Sequence, residues 1–165
     1  MKTGIAADTR NESGLMIGVI SDTHGLLRPE VAQALQGSSL IIHAGDIGSP
    51  DILSQLQGIA PVIAVRGNCD RSDWADVLPV AETTKVGSLL LHLIHDISGL
   101  DLDPAAAGIH ILVSGHSHIP SVAERDGILY LNPGSAGPRR FSLPITVARI
   151  AVQNENFLPE IIRLG

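Results

Sequence analysis

The chain has 165 residues and a formal net charge of -6, with 11 Lys and Arg residues against 17 Asp and Glu residues. This length fits one domain with a hydrophobic core. Aromatic residues make up 2% of the chain and the longest basic run is the pair Arg139 and Arg140, which argues against a nucleic-acid-binding surface.

The cysteine content and the hydropathy indicate the compartment. The single cysteine, Cys69, excludes an intramolecular disulfide and suits a reducing environment. No stretch approaches the ~18 apolar residues of a membrane span. Residues 1–14 are polar and lack the apolar core of a signal peptide. We therefore expect a cytoplasmic protein with a flexible extension at residues 1–14 and one domain over residues 15–165.

The first predicted element is a strand that begins at Leu15 and leads into polar residues ending at His24. Its Ile and Val content predicts a strand buried on both faces, as in a parallel sheet covered by helices. Asp22 and His24 follow it, and their spacing of two directs both side chains the same way in extended backbone. Taken alone, this pair is better explained as an ordinary polar strand end.

Alternating helices and strands follow. They are a helix at 26–37, a strand at 40–43, a helix at 50–57 and a strand at 62–65. This order predicts a parallel sheet with right-handed crossovers. Asp22, Asp46 and Asn68 each follow the carboxyl end of a successive strand, at the rim where α/β sheets bind ligands. Each alone could also be a helix cap or a turn residue.

The second half of the chain predicts a different architecture. Short apolar or alternating runs predict strands at 80–85, 88–95, 109–114, 122–125, 128–131, 145–152 and 158–162. Residues 124–127 indicate a hairpin turn, and only residues 100–107 suggest a helix, weakened by Pro104. The simplest assembly is an α/β fold in which two mixed sheets pack face to face between helices, a four-layer α-β-β-α sandwich.

Three further histidines lie at predicted strand ends: His95, His116 and His118. With His24, two aspartates and one asparagine they form a set of nitrogen and oxygen ligands that suits Mn²⁺, Zn²⁺ or Fe. Seven ligands are too many for one tetrahedral ion and fit two ions that share a ligand. The alternative is that these are ordinary strand histidines, as we interpret His43, His92 and His110.

Six motifs carry a resemblance to a known family. They are Ser-Asp-Thr-His at 21–24, Ala-Gly-Asp at 44–46, Arg-Gly-Asn-Cys-Asp at 66–70, His95, Gly-His-Ser-His at 115–118 and Asn-Pro-Gly-Ser at 132–135. In this order they resemble the signature of the calcineurin-like metallophosphoesterases. The nearest likeness is to the small single-domain prokaryotic phosphodiesterases, in the branch that contains the retromer's phosphoesterase-like subunit.

The resemblance implies two divalent metal ions, most readily Mn²⁺, with Zn²⁺, Fe²⁺ or Ni²⁺ as alternatives. The implied ligands of the first ion are Asp22, His24, Asp46 and His118, and those of the second are Asp46, Asn68, His95 and His116. Asp46 is then the bridging ligand, and Asp46 and Asn68 belong to the catalytic machinery. Ions roughly 3.5–4 Å apart would bind one hydroxide that attacks phosphorus in line.

The chain departs from the family pattern at Cys69, where most members have a histidine that contacts phosphate and assists the leaving group. A thiol with a pKa near ~8.5 is a weak donor. We therefore expect slow turnover except with good leaving groups. A small buried hydrophobic residue is the preferred structural interpretation of Cys69.

A second departure follows His95, where Asp96 and Ile97 replace the usual glycine and histidine. We expect Asp96 on the substrate side of the pocket, where it would repel a doubly charged monoester more than a diester. The alternative is that Asp96 simply points to solvent.

The Asn-Pro-Gly-Ser segment at 132–135 is a turn by composition and could also form an anion-binding nest of backbone amides. Arg139 and Arg140 beyond it could bind a phosphate or could be an ordinary solvated pair. We include Arg139 with Cys69 and Asp96 among the candidate substrate-binding residues.

These observations favour a binuclear phosphodiesterase acting on small phosphodiesters. A protein-interaction scaffold with a degraded site is an alternative, but all seven ligand positions are filled. A phosphomonoesterase is a weaker alternative because of the missing histidine. Exposed strand edges permit a homo-oligomer.

Overall fold

The computed structural model describes residues 14–165, so the predicted extension lies, apart from Gly14, outside the described residues. The elements are β1 (Leu15–Ile20), α1 (Pro29–Leu35), β2 (Leu40–His43), α2 (Pro50–Gln57), β3 (Val62–Ala64), α3 (Asp73–Asp76), β4 (Ala81–Val86), β5 (Leu89–Ile94), β6 (Ile111–Val113), β7 (Ser121–Arg125), β8 (Ile128–Asn132), β9 (Thr146–Gln153) and β10 (Asn156–Arg163). Within these residues, none of the helices has the length and hydropathy needed to cross a membrane.

The first sheet has the strand order β10-β9-β1-β2-β3. Strands β1, β2 and β3 run parallel, as predicted, and β9 and β10 join them antiparallel at one edge. Helix α2, which makes one of the crossovers, begins with Pro50, and the Ser49 hydroxyl caps it by accepting a hydrogen bond from the Asp51 amide at 3.2 Å. Proline suits this position because the first helical N–H has no intrahelical partner.

The second sheet has the strand order β4-β5-β6-β8-β7. Strands β5, β6 and β8 are parallel, and the β4–β5 and β7–β8 hairpins form its two edges. The β7–β8 turn is centred on Asp126 and Gly127, with φ values of 54° and 77°. Positive φ at both central residues defines a type I′ turn, which suits the twist of a two-residue hairpin.

The two sheets pack face to face around an apolar core that includes Ile17, Ile42, Leu91 and Val113. Helices α1 and α2 cover the outer face of the first sheet, where Val31 and Ile52 are buried. These layers confirm the predicted α/β fold of two mixed sheets. They also bring the carboxyl ends of parallel strands from both sheets to one end of the molecule.

The predicted helix at 100–107 is wrong. A 3₁₀ turn at Ile97–Gly99 precedes an irregular segment, in which a single turn is closed by a bond from the Ala107 amide to the Asp103 carbonyl at 2.9 Å. Pro104 lacks an N–H and the left-handed Gly108 (φ 76°) ends the turn, so a longer helix does not form. This segment covers the outer face of the second sheet in place of an α-helix.

Candidate metal centre

Loops after five strands converge between the two sheets and carry the predicted ligands. Asp22 and His24 follow β1, Asp46 follows β2, Asn68 follows β3, His95 follows β5, and His116 and His118 follow β6. Backbone hydrogen bonds join the loops: the Asp22 amide donates to the Gly45 carbonyl at 3.0 Å, and the Gly115 amide donates to the His95 carbonyl at 2.9 Å. The sequence-predicted site therefore lies where both sheets meet.

Many of these loop residues have a strained backbone. Of the eight non-glycine residues with positive φ among residues 14–165, five are predicted ligands: Asp22, His24, Asp46, His116 and His118. The left-handed region costs a non-glycine residue about 1–3 kcal/mol and persists where the surroundings enforce it, often at functional sites. Packing of the two sheets thus holds these residues in a backbone conformation that they would rarely adopt in an isolated chain.

The two buried aspartates use their oxygens in the same way. Asp22 Oδ2 accepts hydrogen bonds from the Ser21 hydroxyl at 2.6 Å and the His116 amide at 3.1 Å. Asp46 Oδ1 accepts one from the Cys69 amide at 2.9 Å. The other oxygen of each carboxylate, Asp22 Oδ1 and Asp46 Oδ2, faces the imidazoles.

Three imidazoles surround these two oxygens. Asp22 Oδ1 lies 3.2 Å from His118 Nε2, 3.8 Å from His24 Nε2 and 3.9 Å from His95 Nε2. Asp46 Oδ2 lies 3.2 Å from His95 Nε2 and 3.8 Å from His24 Nε2. Asp46 therefore contacts one histidine from each of the two predicted ligand sets.

Asn68 and His116 form the open side of the cluster. Asn68 Oδ1 lies 3.2 Å from His116 Nδ1, and the His116 ring meets the His95 ring edge to face at a centroid distance of 5.2 Å. The His116 side chain is 47% exposed, whereas the side chains of His95 and His118 are 4% exposed. All seven predicted ligands thus belong to one cluster that is closed inside and open at Asn68.

Several polar atoms of the predicted ligand residues are buried without a hydrogen-bond partner in the described part of the chain: Asp22 Oδ1, His24 Nε2, His95 Nε2 and His118 Nδ1. A buried polar atom with no partner is destabilising, and buried charges are normally paired or coordinate metals. Carboxylate, amide and imidazole donors suit Mn²⁺, Zn²⁺ or Fe²⁺. The residues therefore fit bound divalent cations.

The pKa shifts of Asp46 and His118 suit metal binding, whereas that of His95 does not: burial disfavours its charged form, but the hydrogen bond with Asp46 and the charge of Asp22 raise the pKa of His95. Burial disfavours the charged form of Asp46, but contacts with His95 and the Cys69 amide outweigh it and hold the pKa of this carboxyl well below its usual range. Burial lowers the pKa of His118 despite the nearby Asp22. An ionised carboxylate and a neutral imidazole are the forms that bind metal ions.

Asp70 is a positioning residue that the sequence analysis did not single out. Its carboxylate accepts hydrogen bonds from the amides of Ile47 at 3.1 Å, Gly48 at 3.0 Å and Gly67 at 2.9 Å. These amides flank Asp46 and Asn68, so Asp70 fixes the two loops relative to each other. Its place at the end of the Arg-Gly-Asn-Cys-Asp motif was the available signal.

The turn at 132–135 connects the second sheet to the ligand loops. Asn132 Nδ2 donates to the Gly115 carbonyl at 2.9 Å, and the Ser135 hydroxyl donates to the Asp22 carbonyl at 3.1 Å. The Gly134 amide donates to Asn132 Oδ1 at 2.9 Å. Because this amide is already bonded within the turn, the structural interpretation is favoured over an anion-binding nest.

Cys69 lies beside the cluster, but its side chain is exposed. The interpretation of Cys69 as a small buried hydrophobic residue is therefore wrong. Its sulfur, one nitrogen of His24 and one oxygen of Asp46 all lie within 4.8 Å of one another. Partial desolvation and the Asp46 charge raise the pKa of the thiol, so it is protonated near neutral pH and is a poor nucleophile.

Asp96 has fixed partners. Its Oδ1 accepts hydrogen bonds from the Ser98 amide at 3.0 Å and the Ser98 hydroxyl at 2.8 Å, and its Oδ2 lies 3.7 Å from His116 Nε2. These hydrogen bonds are the main reason why the pKa of Asp96 is lowered. Asp96 is thus a fixed negative charge at the open side of the cluster.

Of the two adjacent arginines, Arg140 has the clearer relation to the site. Burial has the largest influence on both neighbouring groups: it raises the pKa of Cys69 and lowers that of His118. The positive charge of Arg140 lowers both pKa values. Arg139 is exposed, and its contact with substrate stays a prediction. Hydropathy and charge could not distinguish the two neighbours because the direction of a loop side chain depends on its packing.

Comparison with known proteins identifies the family. Residues 15–155 match the calcineurin-like phosphoesterase superfamily domain. The chain belongs to this superfamily. A probable metallophosphoesterase from Methanothermobacter thermautotrophicus is 38% identical over 92% of this chain and 94% of its own length. Phosphodiesterase YfcE from Escherichia coli is 31% identical over 70% of this chain and 76% of its own length.

A solved structure has the same fold. Vacuolar Protein Sorting 29 from Cryptosporidium parvum superposes with a TM-score of 0.74 at 20% identity, over 92% of this chain and 98% of that protein. The superfamily membership and the two relatives named above establish this chain as a metal-dependent phosphoesterase. They confirm the resemblance seen in its motifs.

His43 belongs to a buried hydrogen-bond chain beneath the ligand loops. Its Nδ1 accepts from the Gly45 amide at 3.1 Å, so Nε2 carries the proton and donates to the Thr23 hydroxyl at 3.0 Å. That hydroxyl donates to the Ile47 carbonyl at 2.8 Å. Protonation at Nδ1 would set an N–H against the Gly45 amide. Desolvation, the main cause, and the nearby His95 lower the pKa of His43 from 6.5 to about 3.

We predict an acid-sensitive fold because of His43. Below pH 6.5 the unfolded chain gains a proton at His43 that the folded chain does not gain until about pH 3, so the free energy of unfolding falls between these values. One proton corresponds to about 1.4 kcal/mol per pH unit. Urea unfolding of metal-free protein between pH 4 and 6 checks this: His43→Gln reduces the pH slope by about one proton. An unchanged slope would contradict the account.

Proposed function

We propose that this chain is a binuclear metal-dependent phosphodiesterase that hydrolyses small phosphodiesters, with Mn²⁺ as the most suitable metal. The observation that carries the proposal is that all seven predicted ligand side chains lie in one cluster. A protein that uses this fold only as a scaffold has no need to keep all seven. The proposed location is the cytoplasm, and the proposal is compatible with a homo-oligomer.

The proposed ligands of one ion are Asp22, His24, Asp46 and His118, and those of the other are Asp46, Asn68, His95 and His116. The contacts of Asp46 support its role as the shared ligand, because Oδ2 lies within 4 Å of both His24 and His95. When bound, two such ions lower the pKa of a water molecule and neutralise charge on the phosphoryl oxygens.

The open side of the cluster is the proposed binding side for the phosphoryl group. Asn68 and Cys69 are exposed there, and the Asn68 Oδ1 contact with His116 holds the amide in place. Both residues can orient a substrate oxygen. In the proposed reaction a water oxygen forms a new bond to phosphorus, the bond to the leaving alcohol breaks, and a proton goes to that alcohol.

The charges around the opening support a diester substrate over a monoester. Asp96 contributes a fixed negative charge 3.7 Å from His116, which repels a dianionic monoester more than a monoanionic diester. The name of the Escherichia coli relative, a phosphodiesterase, agrees with this preference. Cys69 cannot protonate a poor leaving group efficiently, so activated esters are the expected good substrates.

An add-back assay tests the proposed function. Metal-stripped protein should hydrolyse bis(p-nitrophenyl) phosphate only after Mn²⁺ is added, with kcat/KM at least about tenfold above that for p-nitrophenyl phosphate. Asp46→Asn should lower kcat/KM by about a hundredfold or more because a shared charged ligand is lost. The exposed Asp51→Asn serves as the control. Absence of metal-dependent hydrolysis of any activated diester would contradict the proposal and favour the scaffold alternative.

The role of Cys69 is tested by substitution with the usual family residue. Cys69→His should raise kcat by at least about tenfold on an alkyl diester with a poor leaving group, because a general acid contributes up to ~10²–10⁴-fold. It should change the rate on bis(p-nitrophenyl) phosphate little, and Cys69→Ser should gain on neither substrate. No gain on the alkyl diester would argue against Cys69 as the residue that restricts the leaving group.

A further inference from the structure

We propose that a pocket beside the metal centre binds a second phosphate group, carried on one of the two alcohols of the diester. This inference rests on the proposed function and specifies its substrate class. The pocket, here termed the hairpin pocket, encloses about 240 Å³ and lies on the outer face of the second sheet. Its lining includes Asp96, Ile97, His116, Ser121, Arg125 and Tyr130.

The register of the β7–β8 hairpin builds this pocket. Ser121 pairs with Asn132 and Ala123 pairs with Tyr130, and side chains two residues apart on a strand share a face. Asn132 donates a hydrogen bond to the Gly115 carbonyl, immediately before His116. The pocket therefore begins at the metal centre and continues along the hairpin past Tyr130 towards Arg125.

Arg125 supplies a positive charge at the far end of the pocket. Its guanidinium carbon lies 4.6 Å from the centroid of the Tyr130 ring. The cation–π attraction favours this position of the exposed guanidinium over the ring and leaves its N–H edge free for an oxyanion. Within residues 14–165, no carboxylate oxygen lies within 4.0 Å of Arg125.

The hairpin pocket has a negative side chain at its end near the metal centre and a positive one at its far end. Asp96 lies beside His116, next to the site of reaction, whereas Arg125 lies further along the hairpin. Asp96 repels a phosphate group, whereas Arg125 can bind one with two parallel hydrogen bonds. The hairpin pocket therefore suits an alcohol that carries its second negative group away from the scissile phosphorus.

A second pocket on the other side of Asp96 differs in its cation. It encloses about 270 Å³ and is lined by Arg66, Asn68 and apolar Val80 and Ile94. The guanidinium of Arg66 already pairs with Asp76 at 3.5 Å. The hairpin pocket is thus the better receptor for an additional anion. Its volume is below the ~300–1,000 Å³ of pockets that enclose a whole drug-sized ligand, so it fits one substituent of the substrate.

The inferred substrates are therefore phosphodiesters of a phosphorylated alcohol, such as a nucleotide with a further phosphate on its sugar. Hydrolysis joins the water oxygen to the scissile phosphorus and breaks the bond to the other alcohol, which takes a proton. The second phosphate is unchanged, and its contribution is to binding.

A matched pair of chromogenic diesters tests the inference. They are the 5′-(p-nitrophenyl) ester of thymidine 5′-phosphate and the same compound with an added 3′-phosphate. Both release p-nitrophenolate, so they differ only in the group that Arg125 would bind. The unsubstituted protein, termed the parent and loaded with Mn²⁺, should favour the 3′-phosphorylated ester by about tenfold in kcat/KM, through a lower KM. Arg125→Gln should abolish this preference.

Three more variants make the test specific. Lys85→Gln removes one positive charge, as Arg125→Gln does, but at an exposed position on β4. It should keep the preference for the 3′-phosphorylated ester. Tyr130→Phe should keep it and Tyr130→Leu should reduce it, because only the first retains the ring beneath Arg125. Equal kcat/KM for the two esters with the parent, or a preference that survives in Arg125→Gln, would overturn the inference.

A binding measurement separates failure of the inference from failure of the proposed function. By calorimetry, the parent should bind thymidine 3′,5′-bisphosphate about tenfold more tightly than thymidine 5′-phosphate, and Arg125→Gln should bind the two equally. Equal affinities with the parent would overturn the inference. Hydrolysis of neither ester, with the affinity difference intact, would support the pocket and count against the proposed function alone.

Discussion

Two buried carboxylates in one cluster set the main constraint on this structure. Asp22 is fully buried and Asp46 is 3% exposed, and each points one oxygen at a group of imidazoles. Removing a charge from water costs several kcal/mol unless other charges and hydrogen bonds compensate it. The histidines offset part of this cost, but their unpartnered nitrogens add further buried polar atoms. Cations inside the cluster would satisfy the carboxylates and the imidazoles together.

The surrounding fold keeps the ligands in this arrangement. Close packing requires glycine at Gly45, where a Cβ atom would lie 2.7 Å from His95 Nδ1 and φ is 102°. Gly115 lies similarly close to the Asp22 loop, since a Cβ atom there would lie 2.8 Å from Asp22 Oδ2. Asp70 and Asn132 bind the backbone of the neighbouring loops. The site is therefore assembled only when the two sheets pack against each other.

Much of this arrangement was predictable from the sequence because it depends on regular patterns. Buried strands have recognisable apolar runs, and parallel strands end at a common rim, so the grouping of Asp22, Asp46 and Asn68 followed from the order of elements. The histidines were found because each follows a strand or belongs to a family motif. The hairpin at Asp126 was predictable because its turn residues have a strong conformational preference.

Other features depended on tertiary contacts that have no local signal. The segment at 100–107 has helix-compatible residues, but Pro104 and Gly108 restrict it to a single turn. Cys69 is exposed because its loop lies at the open side of the cluster, which its hydrophobicity could not indicate. The stacking of Arg125 on Tyr130 depends on the register of the β7–β8 hairpin.

In the proposed site, side chains from both sheets hold two cations with Asp46 between them. Anomalous diffraction from crystals grown with Mn²⁺ measures this directly. We expect two anomalous peaks per chain, roughly 3.5–4 Å apart, each within bonding distance of an Asp46 oxygen. A single peak, or two peaks that leave Asp46 bound to only one ion, would contradict the proposed site.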